Sequence, residues 1–151
     1  MQESESAVRA ALGRPAIVFA VTWLIHTADH VRRGTATTPD GVIWGGTLVA
    51  VLAAVALTLI AVGHPIAPMA AALVFPAIAV GVAASHLLPE WGWLSEPLLI
   101  EPVADRFAAA AASLEILGAA YLGWSGLRVV RANGYRLLVT DRAGGADPAG
   151  A

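Results

Sequence analysis

Four long apolar stretches, separated by short segments that collect the charges, prolines and glycines, leave this chain few ways to fold. They run from Pro15 to Val31, Val42 to Val62, Ile66 to Leu88 and Phe107 to Leu127. A helix crosses the hydrocarbon core of a bilayer with about 20 apolar residues, and roughly 17–25 serve. The last three stretches meet that length comfortably, and the first meets it at the short limit. Composition points the same way: 58% of the residues are hydrophobic and 13% charged, where a soluble domain carries roughly 25% charge. The sequence therefore predicts an all-α integral membrane protein, a four-transmembrane-helix antiparallel bundle. A polar lead over 1–14 precedes the bundle of 15–131, and a tail over 132–151 follows, with a Gly/Ala/Pro-rich end expected to be disordered.

The first stretch is expected to be a retained helix and not a signal peptide. Its leader, MQESES, is acidic where a signal peptide is basic, and no small-residue cleavage site precedes the polar run HTADHVRR. A soluble enzyme domain is excluded. The absence of cysteine rules out disulfides, thiolate metal sites and thiol catalysts. A net charge of −2 with dispersed arginines gives no basic patch, so no nucleic-acid partner is expected. No Walker motif, dinucleotide fingerprint, serine nucleophile elbow or internal repeat is present. All nine cations are arginine, which with the abundant Ala, Val and Gly suggests a GC-rich bacterial genome and hence a bacterial plasma membrane.

With both termini cytoplasmic, Arg9, Arg14, Arg128, Arg131, Arg136 and Arg142 lie inside and Arg32, Arg33 and Arg106 outside, the bias that the positive-inside rule favours. The outer connection PEWGWLSEPLLIEP is acidic, and its Trp91 and Trp93 suit the membrane interface. His64, beside Pro65, is expected in a solvated inner turn. Pro76 is expected to kink the third helix.

Ionisable groups inside membrane helices cost about 2.5–3.5 kcal/mol each at the centre and so call for an explanation. Thr22, His26, Asp29, His30 and Arg33 recur at helical spacing, which places them on one stripe of the first helix. His26 and His30 have the i, i+4 spacing that lets two imidazoles share one metal, with Asp29 as a third ligand or as an orienting acceptor. His86 and Glu90 repeat that spacing at the end of the third helix, provided that the helix survives Pro89. Glu115 lies on a face of the fourth helix made of Ala108, Ala111, Ala112, Gly118 and Ala119, so it is expected to meet a neighbouring helix. By the helical rise it sits roughly 12 Å below Phe107, near the level of His26. Arg32 and Arg33 are expected to anchor at the interface, Arg33 with access to Asp29. Glu96, Glu101, Asp105 and Arg106 are expected on a solvated rim.

The candidate metal ligands are thus His26, Asp29, His30, His86, Glu90 and Glu115, and nitrogen and oxygen donors without thiolate suit Cu, Zn or Fe. A b-type haem held by His30 (or His26) and His86 is a second possibility. Others are a purely structural polar cluster, a proton or ion path, and a non-catalytic accessory or assembly subunit packed against a membrane partner or a second copy. The E-x-x-H signature of di-metal carboxylate bundles is absent, and four histidines are too few for the multi-His-box membrane hydroxylases. No reaction is assigned.

Overall fold

In a computed structural model, which describes residues 2–34, 38–99 and 105–133, the chain forms four helices: α1 (Gln2–Arg33), α2 (Asp40–Ala61), α3 (Ala67–His86) and α4 (Arg106–Asn133). There is no strand among the described residues. All four helices are long and apolar enough to cross a membrane, as expected of a multi-pass membrane protein. Glu101 and the tail from residue 134 onward lie outside the described residues.

The helix bounds differ from the apolar stretches in instructive ways. α1 begins at Gln2 and runs unbroken through Pro15, so the polar lead continues the helix. Its Ala, Glu and Arg residues favour helix, and Val8 and Leu12, one turn apart, supply an apolar edge that is buried in the bundle. That burial outweighs the single backbone hydrogen bond that Pro15 cannot donate. α1 stops at Gly34, whose φ of +81° suits glycine at a helix end and whose N–H donates to the His30 carbonyl at 3.0 Å. α3 continues through Pro76 but ends at His86, short of Pro89, which disfavours helix in the residue before it.

α4 is the central helix. Half of its most apolar window is buried, against 17–28% in the other three, and it packs most extensively on α3 and then α1. α2 leans on α3 and α1 from the side. Small residues permit this close approach. A Cβ on Gly118 would overlap Thr22 Oγ1 and sit 3.2 Å from Phe19 Cα, and one on Gly126 would sit 2.7 Å from Ala71 Cβ. The apolar core lies at this level and is dominated by Phe19, Phe75, Leu12 and Leu122, with Phe19 and Phe75 edge to face at 4.7 Å. The polar residues gather elsewhere, at the end of the bundle where α1 and α3 finish and α4 begins. Exposed Trp91 and Trp93 lie in the connection there, and His64 is exposed in the α2–α3 turn.

Candidate metal centre

Gly118 decides the position of Glu115. Because α1 and α4 touch at Thr22 and Gly118 and run in opposite directions, one turn further along α1 comes His26 and one turn back along α4 comes Glu115. Their side chains meet, His26 Nδ1 against Glu115 Oε2, and both residues are buried. With the carboxylate accepting from Nδ1–H, the lone pair of His26 is on Nε2. That nitrogen is buried and has no hydrogen-bond partner.

Three imidazoles converge here. His26, His30 and His86 each offer a ligand nitrogen, and the three atoms lie within 4.8 Å of one another. The ring centroid of His26 is 4.8 Å from that of His30 and 4.9 Å from that of His86, and His30 and His86 are 5.6 Å apart. Nitrogens bound tetrahedrally at about 2.0–2.1 Å from zinc stand roughly 3.3 Å apart. Binding an ion would draw the three nitrogens together by up to about 1.5 Å.

The connection after α3 orients His86. It folds back over the helix end, where Glu96 N–H donates to the Ser85 carbonyl at 2.8 Å and Leu98 N–H to the His86 carbonyl at 2.9 Å, satisfying acceptors that a helix C-terminus leaves open. Trp91 Nε1 donates to the Ala84 carbonyl at 2.7 Å. Glu96 is thereby held beside His86: Nδ1 faces the Glu96 backbone carbonyl at 3.3 Å and its carboxylate at 3.6 Å. Both neighbours are acceptors, so Nδ1 carries the proton and Nε2 the lone pair. His26 and His86 thus share the arrangement of metal-binding histidines, in which the second ring nitrogen donates to a carboxylate or carbonyl and sets the tautomer.

His30 differs. Arg33 can only donate, and it reaches His30 Nδ1 at 3.1 Å, which puts the proton of a neutral His30 on Nε2. Ligation by His30 through either nitrogen therefore competes with the Arg33 contact.

The remaining sequence candidates lie around this centre. Asp29, 1% exposed, turns its carboxylate to two arginines, Oδ1 to Arg32 Nε at 2.8 Å and Oδ2 to Arg33 Nε at 2.9 Å. Glu115 is the orienting acceptor of His26. Glu90 is exposed beyond the end of α3, because the helix does not extend past Pro89, and the i, i+4 relation with His86 does not form.

Two residues expected at the solvated rim have structural roles. Glu96 pairs with Arg33 through Oε1, and its side chain is only 11% exposed. Nothing in its sequence neighbourhood distinguishes it from Glu90, because its burial depends on the fold-back of the connection. Arg33 is likewise mostly buried and bridges Asp29, Glu96 and His30. Asp105 caps α4, accepting from the N–H groups of Phe107 and Ala108 at 3.0 Å each, and binds Arg32 Nη2 at 2.7 Å. The Ala108 N–H, and after it Arg32, hold the Asp105 carboxyl below its ordinary value of 3.8.

A folded pKa below the unfolded one gives stability that is complete above the ordinary value and fades as the pH falls through the depressed one. Asp105→Asn retains a capping oxygen but has no charge to titrate. The thermal stability of this variant in detergent is expected to respond less steeply to acid than that of the parent; parallel acid limbs would remove Asp105 from the account.

The fold and this centre define a class: a four-helix chain suited to the membrane, with a buried three-histidine group able to take a metal ion. No known protein family matches the chain, and no curated protein or solved structure matches it either.

Proposed function

We propose that the chain is a multi-pass protein of the bacterial plasma membrane that binds one borderline metal ion, Zn, Cu or Fe, through His26, His30 and His86. The observation that carries this reading is His26 Nε2: a buried lone pair with no partner, on a ring that Glu115 orients. Buried polar atoms are nearly always paired, so a purely structural polar cluster leaves this nitrogen unexplained. A cation between the rings satisfies it. One further feature supports an ion over a haem: the three rings stand within ring-contact distance of one another, His26 against both His30 and His86, with no gap between any two of them sized for a macrocycle.

Three imidazoles leave a fourth position for water or an exogenous ligand, the pattern of an open zinc site. Imidazoles without thiolate suit Zn(II), Cu(II) or Fe(II). With both termini cytoplasmic, as the arginine distribution favours, the centre belongs to the outer end of the bundle.

The test is titration of the detergent-purified, chelator-stripped protein with Zn²⁺, Cu²⁺ and Fe²⁺ under anaerobic conditions. One ion per chain, bound at micromolar concentration or below and without a Soret band, is the expected result. Protein that takes up none of the three ions, or that is purified with a Soret band, would overturn the proposal.

A further inference from the structure

At the histidine end of the bundle lies a recess of about 490 Å³, whose lining includes Arg33, Glu90, Ser95, Glu96 and Asp105 but no histidine; Arg33 and Glu96 stand between it and the imidazoles. We propose that this recess is the port through which a hydrated divalent cation reaches the three histidines, an inference that rests on the metal reading above.

Two of its polar groups, Ser95 and Glu96, have accepting capacity to spare. Ser95, 5% exposed, has a buried hydroxyl without a hydrogen-bond partner, and so does the second carboxylate oxygen of Glu96. Buried atoms of this kind call for an unseen water or ion. Of the three carboxylates in the lining, Asp105 is paired with Arg32 and Glu96 with Arg33, and both arginines also bind Asp29, so with Glu90 four carboxylates stand against two guanidiniums. The recess therefore carries a negative field, and an acidic mouth with low-dielectric walls concentrates cations.

Two residues of the lining also touch the rings. Glu96 presents its backbone oxygen and carboxylate to His86 Nδ1, and Arg33 reaches His30 Nδ1. A cation drawn to Glu96 Oε2 arrives on the Nδ1–H side of His86 and beside Arg33, so the first lone pair it can meet is that of His30 Nδ1, behind the guanidinium. The charge of the cation repels Arg33, whose contact with His30 must yield before His30 can ligate. Exchange of water ligands for Ser95 and Glu96 oxygens, and then for imidazole nitrogens, needs no redox step and only the release of the coordinated water.

The experiment is stopped-flow measurement of Zn²⁺ association in detergent, followed with a competing chromophoric chelator, for the parent protein, Glu90→Gln and Ser95→Ala. Glu90 is exposed and outside the helices, so its substitution does not threaten the fold. At low ionic strength Glu90→Gln should load about 3–10-fold more slowly, with a difference that shrinks as salt is added. Ser95→Ala should be slower at every salt concentration. Parent-like association rates in both variants would overturn the port and leave the metal centre standing. Failure of the parent protein to bind Zn²⁺, Cu²⁺ or Fe²⁺ would remove the metal reading and the port together.

Discussion

His86→Ala should weaken metal binding by on the order of 100-fold or more, since each ligand of a structural zinc site carries several kcal/mol of its roughly 10–16 kcal/mol. His26→Ala and His30→Ala should do the same, because the three rings come from two helices and no fourth imidazole is near. The one other histidine, His64, is exposed in the α2–α3 turn, and His64→Ala is the matched control with parent affinity. Glu115→Gln separates ligand from orienting partner. It keeps the size of the side chain and an acceptor for His26 Nδ1–H but removes the charge, and a loss of about 10–100-fold is expected of a residue that acts through a ligand. Equilibrium competition with a chelator of known affinity measures all five variants. If the three His→Ala variants bind as tightly as His64→Ala, the triad is not the centre. A Glu115→Gln loss as large as that of His86→Ala would make Glu115 a ligand.

Arg33→Met should cost about 3 kcal/mol of stability. Its guanidinium, on a side chain 12% exposed, is paired with the fully buried carboxylate of Asp29 and with Glu96. Removing the cation leaves two carboxylates where water reaches poorly, and the loss of an ion from a buried network costs more than the pair contributes. Asp29 keeps Arg32 at 2.7 Å, but Glu96 keeps only the distant Thr38 Oγ1 at 3.5 Å and His86 Nδ1 at 3.6 Å. Arg32→Met is the contrast. That side chain is 50% exposed, where ion pairs are screened and contribute up to about 1 kcal/mol. Thermal unfolding in one detergent should place Arg33→Met well below Arg32→Met, and equal midpoints would mean that burial does not set the strength of these pairs.

The site was legible in part, and the division follows a physical line. His26, His30 and Arg33 could be placed together because they belong to one helix, whose 100° period is a local property. His86 could be added because a short connection makes α2 and α3 a hairpin and sets its level in the bundle. Glu115 was recognisable as inward-facing from the small residues around it, but whether it ligates or orients depends on the 118–22 contact with α1. Glu90 and Glu96 exchange standing for the same reason. Both occur in an acidic connection, and only the fold-back onto the Ser85 and His86 carbonyls buries one and exposes the other.

Read alone, the order of residues settles the number of helices, their fitness for the membrane and the stripe on α1, because those follow from hydropathy and local periodicity. It places the start of α1 too late, since the helical character of residues 2–14 is backed by the burial of Val8 and Leu12 and not by a continuous apolar run. Which acid orients a histidine, which arginine is enclosed and which nitrogen is left without a partner are questions of contact between elements far apart in the chain. Helix packing answers them, because a carboxylate acts as ligand, acceptor or counter-ion according to what lies a few ångströms from its oxygens.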